Sequence, residues 1–166
     1  MKNSQYGVGL IEVLVSLVLL GIAVLGYTAL QVRAITASTE ASQNVLATNI
    51  ARDLSERIRM NRNGLAEYKS TTSQVDCKAK FCDATEMAHY DYAQVENRAT
   101  ALGMDLAILD CQGSTLTRKC IYVAWAQTKA SNGDGDTHCT NGTSYVPDAQ
   151  CIIMETYNYT AGSESE

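Results

Sequence analysis

An uncharged apolar stretch near the N-terminus constrains the fold more than any other feature. Residues 13–32 read VLVSLVLLGIAVLGYTALQV and contain no charged side chain. Twenty helical residues span about 30 Å, which is the thickness of the hydrocarbon core of a bilayer. No small-residue cleavage site of the A-x-A type ends the stretch, as it would in a removable secretory signal. We therefore predict a membrane-spanning helix.

The sequence that follows predicts that this helix continues as an amphipathic one. Leu46, Ile50, Leu54 and Ile58 recur at every fourth residue, which places them along one stripe of a helix. Glycine readily takes the left-handed conformation that ends helices, so residues 61–64, NRNG, predict the stop. We expect one long helix over residues 8–62, with charged residues covering the face opposite the stripe: Arg52, Asp53, Glu56, Arg57 and Arg59.

Glu12 interrupts the apolar pattern near its beginning. A carboxylate at the centre of a membrane costs several kcal/mol, so such residues usually have a function. Alternatively, the carboxylate lies at the membrane edge and reaches the water of the headgroup region. The charge alone leaves both interpretations open.

Residues 7–15, GVGLIEVLV, resemble the prepilin cleavage and methylation motif of type IV pilins and of the related pseudopilins of type II secretion. The resemblance implies that a prepilin peptidase removes a leader, residues 1–7, by cutting after Gly7. It also implies N-methylation of the new terminus at Val8, and pairing of Glu12 with the terminal ammonium of a neighbouring subunit. Such a pair is physically reasonable because opposite charges attract strongly in a low-dielectric bundle. Gly9 departs from the pattern, since the family more often has serine or threonine there.

The end of the long helix, ARDLSERIRMNRNG, is similar to the corresponding part of PilV-type minor pilins. Major pilins commonly carry a proline in the apolar helix, whereas the one proline of this chain is Pro147. The resemblance implies a minor pilin that takes part in an initiating or tip complex. Its implied partners are other minor pilins, the major pilin, the inner-membrane assembly platform and a tip adhesin. Its implied location is the inner membrane, with the C-terminal domain in the periplasm, and then the pilus.

Residues 63–166 predict a periplasmic globular domain. Asp83 and Glu86 are spaced as a helix start, and Gly103 predicts the end of that helix. Three segments rich in β-branched and aromatic residues predict strands, and residues 129–136, KASNGDGD, predict a turn. The strands are expected over residues 104–111, 120–127 and 151–159. The expected fold class is α+β: a pilin fold in which the membrane-spanning part, residues 8–32, and the amphipathic part, 33–62, form one helix packed on a small antiparallel sheet.

The six cysteines indicate an oxidising compartment and a disulfide-bonded domain. Six cysteines allow fifteen pairings, and the sequence does not choose among them rigorously. We favour sequential pairing, in part because Cys111 and Cys120 fall at facing ends of two predicted strands. The favoured pairs are Cys77 with Cys82, Cys111 with Cys120, and Cys139 with Cys151.

Other kinds of chemistry have weak support. Zinc binding by Cys77, Cys82 and His89 would need better spacing, and Asn132–Asp136 begins like a calcium loop but has Thr143 where an EF-hand needs glutamate. We expect no metal, no cofactor and no enzymatic activity, since the common catalytic motifs do not occur. A net charge of −5 gives no basic footprint for nucleic acid. The alternatives kept open are a minor pseudopilin of type II secretion and a membrane-tethered periplasmic enzyme or binding domain.

Overall fold

The computed structural model describes residues 9–71, 75–113 and 118–156. They form two compact units, one up to Ser42 and one from Gln43 onward, and the first helix runs through the boundary. The elements in chain order are α1 Leu10–Met60, a 3₁₀ helix Arg62–Glu67, α2 Ala84–Ala101, β1 Met104–Asp110, β2 Lys119–Trp125, β3 Lys129–Asn132, β4 His138–Asn141, β5 Ser144–Tyr145 and β6 Cys151–Thr156.

In the first unit, α1 is exposed on every side. All side chains of residues 10–42 are solvent-exposed, including the whole apolar run. Across the described residues, α1 is the one helix long and apolar enough to cross a membrane, with a mean hydropathy of 2.5 in its most apolar window. The core helix of a soluble domain would bury such a window, whereas here none of it is buried.

In the second unit, the last part of α1 lies antiparallel to α2. Asp53 pairs with Arg98, Arg57 pairs with Asp91, and the Asn61 amide donates to the Ala84 carbonyl at 2.8 Å. The predicted apolar stripe is confirmed, because Ile50, Leu54 and Ile58 are buried and Leu46 packs against them.

The predicted start and end of α2 are also confirmed. The Glu86 N–H donates to the Asp83 carboxylate at 2.8 Å, and the Asp83 N–H donates to the Glu86 carboxylate at 3.3 Å. This reciprocal capping box satisfies two amides that the helix leaves free. At the other end, Gly103 has a φ of +71°, the left-handed conformation that favours glycine.

The main sheet is antiparallel with strand order β1-β2-β6. Its central strand, β2, is buried on both faces. Ile121 and Val123 face the core formed with α1 and α2, while Tyr122 and Ala124 belong to a second cluster with Ala130 and Cys139. The chain therefore has the predicted α+β pilin fold, a long helix packed on a small antiparallel sheet. The last predicted strand is found as far as Thr156; residues 157–159 lie outside the described part.

A second small sheet, with order β3-β4-β5, was not predicted. The prediction of a turn over residues 129–136 is wrong for its first half, because Lys129–Asn132 forms β3. The Ala130 N–H donates to the Asp105 carboxylate at 2.8 Å, and the Lys129 N–H donates to the Thr137 carbonyl at 2.7 Å. These contacts come from residues distant in sequence and override the local turn signal.

Gly64 does not have the predicted role at the end of α1. The helix ends at Met60, and Gly64 lies within the following 3₁₀ helix without a positive φ. Glycine is needed there for space, because an added Cβ would meet the Ala84 carbonyl oxygen and approach the Asn61 amide nitrogen to 2.6 Å. The glycine therefore permits close packing between the end of α1 and the start of α2.

Candidate assembly site

The start of α1 presents Glu12 to the surroundings. The Glu12 N–H donates to the Gly9 carbonyl at 3.0 Å, which places Glu12 in the first turn of the helix. A negative charge is favourable there because it faces the positive end of the helix dipole. The Glu12 side chain is exposed and therefore accessible to a partner. Gly7 and Val8, the predicted cleavage and methylation positions, lie outside the described residues.

The helix after Glu12 offers an apolar surface around its whole circumference. Its polar hydroxyls are satisfied within the helix: Ser16 donates to the Glu12 carbonyl at 2.7 Å, and Thr28 donates to the Leu25 carbonyl at 2.9 Å. Such internal bonding suits an apolar environment, where an unpaired polar group is costly. The large apolar side chains exposed between residues 10 and 32 are Leu10, Ile11, Val13, Leu14, Val15, Leu17, Val18, Leu19, Leu20, Ile22, Val24, Leu25, Tyr27, Leu30 and Val32.

A charged network holds the amphipathic end of α1 to α2. Arg57 pairs with Asp53 at 2.9 Å and with Asp91 at 2.6 Å, and Arg98 pairs with Asp53 at 2.7 Å. Burial alone would lower the pKa of Arg57, but its hydrogen bonds and charge interactions with Asp53 and Asp91 outweigh burial and raise that pKa. Asp53 and Arg57 were predicted to lie on the face opposite the apolar stripe; in the structure they are half-buried between α1 and α2.

Tyr68 completes this network. Its hydroxyl lies 3.1 Å from the Arg57 carbonyl and 3.2 Å from the Asp91 carboxylate. The pKa of Tyr68 is raised mainly by burial, and the nearby Asp91 charge raises it further. Sequence reasoning missed Tyr68, since an isolated tyrosine in a loop carries no local pattern.

The six cysteines form three disulfides in the sequential order that the sequence analysis favoured. Cys77 is joined to Cys82, Cys111 to Cys120, and Cys139 to Cys151, with Cα–Cα distances of 5.5, 5.0 and 5.9 Å. The first closes a loop before α2, the second joins the ends of β1 and β2, and the third links β4 to β6. Because Cys77 and Cys82 are bonded to each other, they are not free thiolates for a zinc site with His89.

The calcium-like segment begins at the last residue of β3 and forms the connection that leads toward β4. Asn132 lies in β3, and its side-chain oxygen accepts a hydrogen bond from the Thr140 hydroxyl at 2.9 Å. In the part of the chain that the structure describes, no three histidine, cysteine or acidic side chains are grouped to hold a metal ion.

Comparison with protein families accounts for more than half of the chain. Residues 2–28 match the prokaryotic N-terminal methylation motif, and residues 29–93 match the family model of type IV pilin Tt1218. The two matches adjoin and extend from the start of the chain into α2. Together the two matches support a type IV pilin. No curated protein and no solved structure matches this pilin.

The two family matches cover the exposed part of α1 and the part that packs on α2. The methylation motif covers Gly7, Val8 and Glu12, and it continues through most of the apolar run. The pilin match then covers Asp53, Arg57, Tyr68 and Asp91 of the charged network, whereas Arg98 lies beyond it. A structural subunit of a pilus, with an apolar helix consistent with membrane anchoring, follows from these matches. The family is one of structural proteins and not of enzymes.

Proposed function

We propose that this pilin is a minor pilin of a type IV pilus, of the PilV kind, that helps to initiate assembly at the pilus tip. The observation that carries the proposal is the apolar part of α1, which is exposed on all sides and continues into a helix packed within a disulfide-bonded domain. A surface of this kind needs a lipid or helix-bundle environment. A pilin occupies the first before assembly and the second afterwards.

The N-terminal motif supports a defined order of processing steps, cleavage of a leader followed by methylation of the new terminus. Residues 1–7 are the leader, prepilin peptidase cuts between Gly7 and Val8, and Val8 becomes the methylated terminus. Residues 8–32 then span the inner membrane, residues 33–62 form the amphipathic part of the helix, and residues 63–166 form the periplasmic domain. The exposed Glu12 carboxylate pairs with the terminal ammonium of a neighbouring subunit in the assembled bundle.

Minor rather than major status is supported by the helix itself. The apolar run has no proline, and residues 51–64 are similar to the PilV group. The partners are other minor pilins, the major pilin, the assembly platform and a tip adhesin. Through pilus assembly the subunit contributes to adhesion, twitching motility or DNA uptake.

The methylation motif is shared with pseudopilins, so a minor pseudopilin of type II secretion is the second candidate. The six cysteines and the end of α1 favour the pilus subunit. A membrane-tethered enzyme or binding domain would not need the prepilin motif.

Mass spectrometry of the native N-terminus tests maturation. In a strain with prepilin peptidase the chain should begin at methylated Val8, and in a peptidase deletion it should retain the leader. A mature terminus elsewhere contradicts the prepilin assignment.

Deletion of the gene for this chain distinguishes a minor pilin of a type IV pilus from a minor pseudopilin of type II secretion. A minor pilin deletion should lower the yield of sheared surface pili and leave secretion by the type II system intact. Normal piliation together with a secretion defect would favour the pseudopilin.

A further inference from the structure

A polar groove runs along the side of α2 that faces away from the core. Tyr90, Gln94 and Asn97 line it, and their spacing of four and three residues places them in one row on the helix. Ala93 also lines the groove, and its small side chain leaves space beside the row. The groove has a volume of about 360 Å³. This volume lies within the range of about 300–1,000 Å³ that is typical of ligand sites.

The opposite wall of the groove is the segment that leads into the Cys77–Cys82 disulfide. Val75, Asp76 and Lys78 of this segment line the groove. The Asp76 carboxylate accepts a hydrogen bond from the Lys78 N–H at 2.9 Å, and the disulfide closes the turn that follows. A wall held by a turn and a covalent bond loses little conformational entropy when a ligand binds. The groove is therefore preformed on both sides.

The polar groups of the α2 wall are available to a ligand. The side chains of Tyr90, Gln94 and Asn97 form no hydrogen bond with another described residue. Gln94 and Asn97 are exposed, whereas Tyr90 is half-buried and presents an aromatic surface. Each amide offers two donor hydrogens and one acceptor oxygen. The groove thus combines one aromatic ring with two neighbouring amides that both donate and accept.

The charges that line the groove balance one another. Asp76 supplies one carboxylate and Lys78 supplies one ammonium group. His89 also lines the groove, but its Nε2 is buried and lies 3.5 Å from the Glu67 carboxylate. Glu67 is paired in turn with Lys69 at 3.0 Å. Because no excess charge of either sign faces the groove, electrostatic complementarity favours a neutral ligand.

The acidic groups at the start of α2 are engaged within the chain. Glu86 pairs with Lys80 at 2.8 Å, and the Asp83 carboxylate accepts the Glu86 N–H at 2.8 Å. Asp83 also faces the positive end of the helix dipole. These groups therefore do not turn the groove into a site for cations.

We propose that this groove binds a neutral carbohydrate, as a mono- or disaccharide unit of a glycan. The ring of Tyr90 packs on the apolar face of a sugar ring, and the amides of Gln94 and Asn97 bond to its hydroxyl groups. The second oxygen of the Asp76 carboxylate accepts from a hydroxyl on the other side. The groove lies wholly within the second unit, so the proposal does not depend on the proposed function of the chain.

A neutral sugar satisfies the groove better than other small ligands do. Each sugar hydroxyl both donates and accepts, as the two amides require. An apolar ligand would cover the amides and leave them unpaired, which costs free energy. A sialylated or sulfated glycan would place its negative charge against a lining in which Asp76 offsets the single ammonium of Lys78.

A glycan array tests the proposal with the full chain. The protein is purified in lauryldimethylamine oxide, a detergent without a sugar headgroup, and applied to neutral, sialylated and sulfated glycans. We expect binding to neutral glycans that share one terminal unit. Saturation-transfer NMR with the disaccharide of that unit then measures the dissociation constant for the native chain and for each variant.

Substitutions on α2 assign the binding to the groove. Gln94→Ala and Asn97→Ala should each weaken binding roughly tenfold, because each removes a hydrogen-bonding amide. Tyr90→Ala should weaken it by a similar factor, whereas Tyr90→Phe keeps the ring and should retain most of the affinity. Gln127→Ala, at an exposed amide after β2, is the matched control and should bind as the native chain does. Near-ultraviolet circular dichroism should show the same fold in every variant.

Three results would overturn the proposal. The first is an array on which no neutral glycan is bound, and the second is binding confined to sialylated or sulfated glycans. The third is native affinity in both Gln94→Ala and Asn97→Ala, which would place the sugar elsewhere. A chain that binds no glycan but is still cleaved before Val8 and incorporated into pili would overturn this site and leave the proposed function standing.

Discussion

Arg57 of α1 and Asp91 of α2 form an ion pair with 2.6 Å between Nη1 and Oδ1. Asp91 is 8% exposed, and its second carboxylate oxygen accepts from the Tyr68 hydroxyl at 3.2 Å. A carboxylate this buried is tolerated because two donors from separate parts of the chain satisfy it. The pair therefore fixes α2 on the amphipathic part of α1, the part that joins the globular unit to the apolar run.

Replacing Asp91 should destabilise the globular unit. Asp91→Ala removes the acceptor of both Arg57 and Tyr68, and we expect a loss of about 2–4 kcal/mol in the free energy of unfolding. Urea unfolding of the full chain in detergent, followed by near-ultraviolet circular dichroism of the single tryptophan, Trp125, measures it. Glu56→Ala is the control, because Glu56 belongs to an exposed pair with Arg59 and should cost less than about 1 kcal/mol. Equal losses in the two variants would show that the buried network contributes no more to the free energy of unfolding than the exposed pair of Glu56 and Arg59 does.

Alkaline pH should weaken the fold through its buried tyrosines. Burial raises the pKa of Tyr68 and Tyr92 above the ordinary value of about 10. Their stabilising contribution is therefore complete below about pH 10 and is lost as the pH rises further, since the unfolded chain releases these protons first. The urea concentration at the unfolding midpoint should decrease as the pH rises above about 10, and Tyr68→Phe should make that decrease less steep. An unchanged pH slope in Tyr68→Phe would show that the burial of Tyr68 does not cause the alkaline loss of stability.

Gly64→Ala should destabilise the junction between α1 and α2. The new methyl group would meet the Ala84 carbonyl oxygen, which belongs to backbone and cannot rotate away. We expect a loss of about 1–3 kcal/mol, typical of overpacking, measured by the same urea titration. Ala66→Ser, an exposed change in the same 3₁₀ helix, is the control. A variant as stable as the native chain would contradict the close approach of the two segments.

The elements that the sequence predicted correctly are those with a strong local signal. The apolar stripe through Leu54, the capping box at Asp83 and the helix end at Gly103 are each encoded by residues only a few positions apart in the sequence. Gly64 lies near the end of α1, as predicted, but it does not take a left-handed conformation there. It leaves room for the carbonyl of Ala84, twenty positions later in the sequence. The strand over Lys129–Asn132 was missed because its amides bond to Asp105 and Thr137. Asp53 and Arg57 were placed opposite the apolar stripe because the sequence pattern of α1 does not show that α2 packs on that face.

The three disulfides predict a chain without free thiols. Intact mass before and after reduction should differ by six hydrogens, and peptide mapping should recover the three sequential pairs. Replacing the Cys139–Cys151 pair by alanines should cost about 2–3 kcal/mol in the chain-entropy account, measured by urea unfolding. Two or more reactive thiols in unreduced, denatured protein would contradict full pairing.

Glu12 gives the most direct test of assembly. Glu12→Ala should still be cleaved, since Gly7 is intact, and should still insert, since the loss of a charge makes the helix more apolar. If Glu12 pairs with a neighbouring ammonium, the variant should be poorly incorporated and the yield of surface pili should fall. Glu12→Gln should behave in the same way, because it keeps the shape of the side chain and removes its charge. Immunoblots of sheared pili, in a strain without the native copy, measure incorporation.

The control for Glu12 is Glu40→Gln, which removes a carboxylate from the same helix outside the apolar run. It should be processed, inserted and incorporated as the native chain is. A carboxylate that only reaches the headgroup water has no partner to lose, so that alternative predicts normal piliation with every Glu12 variant. Native levels of incorporation for both Glu12→Ala and Glu12→Gln would therefore rule out the charge pair, whereas a defect in both, with Glu40→Gln unaffected, would assign it to the carboxylate of Glu12.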